Sequence, residues 1–123
     1  MRWLLVAPLL ILCGCAKSAP TMAHYKPVSH WIKTLQDADP GARKQAVRIL
    51  SNVGPADPTV VPALASAVQD SEVEVRREAI LALLKLGPSA KSAAPALRDA
   101  LADADPTVRG YAARAVRRVD GGR

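Results

Sequence analysis

The sequence has no phenylalanine, only two tryptophans and two tyrosines, and two cysteines that both fall within the first fifteen residues. Without large rings, a core must be built from Leu, Val, Ile and many Ala. Alanine is the best helix former and lets backbones approach, so closely packed helices are expected. No run of β-branched residues alternates with polar ones at period two, so no sheet is expected. The apolar run Trp3–Leu12 is shorter than the roughly 20 residues a membrane-spanning helix requires. The parts of a catalyst are also missing. His24 and His30 lie in or beside a polar stretch, poorly spaced for one helix face, and no carboxylate cluster joins them to make a metal site. The serines stand in caps and connectors without a His–Asp arrangement, and there is no Gly-rich loop to cradle phosphate. An enzyme, a cofactor and a small-molecule substrate are therefore not expected.

What is present suits one domain: 123 residues, half of them apolar, with a net charge of +6. The first fifteen residues, MRWLLVAPLLILCGC, are of another kind. One basic residue, an apolar run and a small-residue cut site have the form of a secretory signal peptide. The ending LCGC resembles the bacterial lipobox, with Leu12 and Gly14 in their places and Cys13 an unusual occupant of the second position. The resemblance implies a lipoprotein signal at 1–14, lipidation of Cys15, a tether over 15–27 and a mature chain without free thiols. It implies an exported, lipid-anchored protein in the cell envelope. Ala16 after the modified cysteine, in place of the retention aspartate, leans towards the outer membrane. A protein so placed does not meet nucleic acid, despite its basic charge.

The remainder repeats itself. A shift of 33 residues lays LQDADPGARKQAVRIL on VQDSEVEVRREAILAL and then on LADADPTVRGYAARAV. A fixed period of this size marks stacked supersecondary units. Asp37, Asp70 and Asp103 coincide, as do Arg43, Arg76 and Arg109, and Ala46, Ala79 and Ala112; Gly54-Pro55 falls on Gly87-Pro88. Each unit, about 28–55, 56–88 and 89–120, reads as two helices. The first begins near Thr59 or Ser92, which can cap it, and carries Val61, Leu64, Ala65 and Val68, or Ala94, Leu97 and Leu101, on its apolar face. In the first unit that face is Val28, Trp31, Ile32 and Leu35. The second helix starts at the acidic caps Asp39-Pro40 and Asp105-Pro106, or at the capping box SEVE of Ser71–Glu74, and stops at Gly54 or Gly87.

The pattern PALASAVQDSEVEVRREAILALLKLGP resembles a HEAT repeat, of the short bacterial kind also found in phycobilisome-lyase-like proteins, and the likeness spans residues 28–120. It implies an all-α fold, a right-handed α-α solenoid of three HEAT-like helix pairs, and it raises a bilin-lyase-like subunit as one function. At about 100° per residue, Arg43 falls among Ala42, Ala46, Val47, Ile49, Leu50 and Val53 rather than with Lys44, Gln45, Arg48 and Asn52. A charge inside that stripe needs a carboxylate. The acid sharing its period is the aspartate six residues earlier. Such repeats use this pair as a ladder between neighbours, which implies a structural ladder of Asp37, Asp70, Asp103, Arg43, Arg76 and Arg109. Loss of Arg109 is then expected to cost stability.

The resemblance also implies that the second helices line a concave side where a protein partner binds. Their outward residues, Lys44, Arg48, Arg77, Leu81, Lys85, Tyr111, Arg114 and Arg118, form the candidate binding face. The last unit has Arg114 and Arg117 where the second has Leu81 and Leu84. Together with Arg118 these are either the polar cap of the stack or a basic patch for anionic lipid, lipopolysaccharide or an acidic protein surface.

Overall fold

The computed structural model describes residues 22, 23 and 26–121; the signal segment, Cys15, His24 and Arg123 lie outside the described residues. Six α-helices follow one another: α1 (Val28–Thr34), α2 (Pro40–Val53), α3 (Val60–Ala67), α4 (Val73–Leu86), α5 (Ala94–Asp99) and α6 (Pro106–Val119). They form three pairs, a short first helix and a 14-residue second helix, stacked so that α2 packs on α4 and α4 on α6. The fold is an all-α solenoid. The one extended pairing among the described residues is a two-residue antiparallel ladder, β1 (Met22–Ala23) with β2 (Lys26–Pro27), too short to form a layer. It runs straight into α1, and the Trp31 indole N–H donates to the Ala23 carbonyl at 3.0 Å.

Alanine sets how closely the layers stack. Ala46, Ala79 and Ala112 are wholly buried at the same position of successive second helices. Around this column lie Val47, Leu50, Leu64, Ile80, Leu83 and Leu97, also wholly buried. Removing such side chains from water, at about 25 cal/mol per Å² of apolar surface, is the main force holding the pairs together.

The turns show which expected caps form. Asp39 accepts from the Gly41 N–H at 3.1 Å and Asp105 from the Val108 N–H at 2.8 Å, each one residue before the proline that opens its helix. Gly54 and Gly87 end α2 and α4 at φ 63° and 59°, a left-handed region that a side chain would strain. Three expectations need correction. The SEVE segment is no capping box: α4 starts one residue further on, with Glu72 at its N-cap, and the Glu72 N–H donates to Asp70 Oδ1 at 2.9 Å. Thr59 does not cap α3 either, because its hydroxyl and N–H both donate to Asp57 Oδ1. Ser92 falls inside the 3-10 segment Gly87–Ala93, and α5 begins after it without a side-chain cap.

Candidate functional site

The ladder arginines lie at the seams between units. The Arg43 side chain, 12% exposed, donates through Nε and Nη2 to both oxygens of Asp70 at 2.8 and 3.0 Å. Arg76, 17% exposed, does the same to Asp103 at 2.8 and 3.1 Å. The aspartate six residues earlier contributes its backbone carbonyl instead: Nη1 of Arg43, Arg76 and Arg109 donates to the carbonyls of Asp37, Asp70 and Asp103 at 2.8, 2.9 and 2.7 Å. One guanidinium therefore clamps the turn of its own unit and the carboxylate of the next. The helical wheel placed these arginines within the apolar stripe. They sit at its edge because long stems let the charged heads reach the turns.

The last rung differs. Arg109 is exposed, forms no ion pair among the described residues, and donates only to the Asp103 and Ala104 carbonyls. Its expected carboxylate partner, Asp103, is already held by Arg76. The carboxylate of Asp37 at the other end accepts the Asp39 N–H and meets no guanidinium among the described residues. Leu101, expected on the apolar face, is 42% exposed, whereas Leu35 and Val68 at the same repeat position are 7% and 3% exposed. Both departures have one cause: no unit among the described residues packs on Arg109 and Leu101 from beyond.

Electrostatics follow the packing. The bidentate bond to Asp70 raises Arg43 above its ordinary pKa, outweighing partial desolvation. Burial pushes Asp103 upward, but the Asp105 N–H and the Arg76 guanidinium hold it below the ordinary carboxylate value. Asp105, pushed up by burial, is likewise held low by the Val108 N–H and by Arg77.

The second helices share one outward face, and their charges interlock across the seams. Lys44 pairs with Glu74 at 3.8 Å and Arg48 with Glu78 at 2.9 Å. Arg77 bridges Glu74 at 2.6 Å and Asp105 at 3.0 Å, while Lys85 donates to Asn52 Oδ1 at 3.0 Å. Between α2 and α4 these residues border a groove of about 370 Å³ lined by Val47, Arg48, Glu78, Leu81, Ala82 and Lys85. Leu81 is 36% exposed there. On α6 the pattern changes. Tyr111 is half-buried, while Arg114, Arg117 and Arg118 are exposed and have no carboxylate partner among the described residues. The Arg118 side chain lies across Gly87.

Sequence reasoning assembled the cations of this face with Leu81 and Tyr111; it set Glu78 in the same outward rows without a partner and left out Glu74 and Asp105. The signal was available: Glu74, Glu78 and Asp105 each stand about 30 residues after Lys44, Arg48 and Arg77, one repeat less about one helical turn, and Glu74 also lies one turn before Arg77. Asp105 had been assigned only as a cap, yet its carboxylate caps α6 and receives Arg77 together. Among the described residues no group of three or more His, Cys, Asp or Glu converges as a metal site would require. No helix among them is long and apolar enough to cross a membrane.

A family model described as HEAT repeats matches residues 28–117. No curated protein matches the chain. Among solved structures it is similar to an engineered protein, at 26% identity and a TM-score of 0.63, over 77% of this chain and 46% of that one. It is also similar to a designed armadillo repeat protein in complex with the peptide (KR)4, at 22% identity and a TM-score of 0.63, over 75% of this chain and 46% of that one. The second likeness speaks to the fold alone. The chain spans less than half the length of either structure.

Proposed function

This chain belongs to the HEAT-repeat family, and from that premise we propose that it is a protein-interaction module that grips a partner on the face formed by α2, α4 and α6. The observation that carries this reading is the groove around Leu81. A large apolar side chain is exposed there, ringed by Arg48, Glu78 and Lys85. An apolar anchor inside a polar rim is the anatomy of a binding hot spot. Beyond the groove, α6 adds arginines that no acid among the described residues neutralises, so the partner this face suits carries acidic groups towards the C-terminal end of the stack.

We infer from LCGC that the module is exported and lipid-anchored in the cell envelope through Cys15, with the membrane reached by that lipid. Labelling with a radioactive fatty acid, in wild type and Cys15→Ser, tests the anchor: equal label in both would remove it. The face is tested separately by affinity capture from envelope extracts with the Arg48→Glu/Leu81→Asp/Arg114→Glu variant. The variant should lose the specific partners of the wild type, and full retention of them would sink the reading. Binding that follows the anionic lipid content of vesicles, and survives in this variant, would assign the C-terminal arginines to a lipid surface instead.

A further inference from the structure

The bonds between units recur at fixed offsets. Arg43 and Arg76 each reach the aspartate 27 residues ahead. Arg48 reaches Glu78, 30 residues ahead, and Asn52 accepts from Lys85, 33 residues ahead. At the C-terminal end the forward donors of this scheme are present and no described residue receives them: Arg109 and Arg114 are exposed without carboxylates among the described residues, and Leu101 lies open.

We propose that the receiver is the first unit of a second copy, stacked head to tail as a fourth unit. Laid on in register, the same offsets carry Arg109 to Asp37 of the second copy and Arg114 to its Gln45. Asp37 is the one ladder aspartate whose carboxylate no arginine holds among the described residues. The amide oxygen of Gln45 accepts a hydrogen bond as the Glu78 carboxylate does within the chain. Leu101 passes under α1 of the second copy, as Leu35 and Val68 lie beside α3 and α5. The β1–β2 hairpin packs on α1 and α2 and leads into the N-terminus of α1, whereas Asp37 follows the C-terminus of α1 and is exposed.

Charge selects this arrangement over the symmetric ones. Tail-to-tail pairing opposes Arg109, Arg114, Arg117 and Arg118 to themselves, and head-to-head pairing gives these four no carboxylate. A head-to-tail contact is heterologous and does not close, so association continues beyond the dimer.

Sedimentation velocity of the full chain over a concentration series tests the proposal. Wild type should form a concentration-dependent series of oligomers. Arg109→Asp and Asp37→Arg should each raise the concentration needed by at least about tenfold, the worth of one good ion pair. An equal mixture of the two variants should restore association, because each then supplies the charge the other lacks. Circular dichroism melts identify any variant that does not fold; Arg109→Gln or Asp37→Asn then replaces it in the single-variant comparison. A wild type that stays monomeric at millimolar concentration overturns the proposal. So does association insensitive to these substitutions, or charge variants that fold yet fail to complement each other.

Discussion

The seam between the second and third units and the open end after the third are built from the same residues at the same repeat positions, and they behave as opposites. At the seam, Arg76 is nearly enclosed and holds Asp103 with two hydrogen bonds. At the end, Arg109 is exposed and binds only carbonyls of its own turn. Val68 is covered where Leu101 is open. A repeat motif therefore specifies a potential contact, and the presence of a neighbour decides whether it becomes a stabilising one.

The largest effect that would break this comparison concerns apolar burial. Leu35→Ala, at a covered position, should cost about 2–3 kcal/mol in denaturant unfolding, while Leu101→Ala removes the same atoms for less than about 1 kcal/mol. Equal costs would mean that the C-terminal end is covered in solution.

Next come the arginines. Arg76→Ala leaves the carboxylate of Asp103 partly buried and unpaired and should cost on the order of 2 kcal/mol. Arg109→Ala should leave the melting temperature of the monomer unchanged, reversing the expectation drawn from the sequence. A fall as large as that of Arg76→Ala would show that Arg109 has an acidic partner within the chain.

The same seam sets the response to acid. Asp103 and Asp105 have folded pKa values below the ordinary 3.8, to which they return on unfolding. The stability they contribute is thus fully present above pH 3.8 and is lost as the pH falls through their lowered folded values. Melting temperature should hold steady from neutral pH down to that region and then fall. In Arg76→Ala the fall should be shallower, because with one of the groups holding it low removed the folded value of Asp103 lies closer to its unfolded one.

The smallest effect is a gain. Gly110 stands in α6 where Lys44 and Arg77 stand in α2 and α4, and an added Cβ would meet nothing within 4 Å. Gly110→Ala should stabilise the last unit by about 0.5–1 kcal/mol through helix propensity, read as a rise in melting temperature. A loss would mean that this surface is occupied.

Much of the fold was legible because its causes are local. Asp-Pro at a helix start and Gly-Pro at its end act within a turn, and Asp39, Asp105, Gly54 and Gly87 serve as they read. SEVE misled because two local solutions compete there, and the Asp70 side chain takes the Glu72 N–H before a serine cap can form. The pairings of Lys44, Arg48 and Arg77 with Glu74, Glu78 and Asp105 escaped because they join different repeats, where sequence separation hides proximity.

The 33-residue period, the alanine column and the helix stops were determined by the sequence alone, since periodicity and backbone preference need no neighbour to be expressed. Which arginine of three identical ones is enclosed, which leucine is covered and which carboxylate goes to which guanidinium were decided only by the tertiary structure. Those properties depend on what is stacked next, and a repeat carries the same residues whether or not anything is.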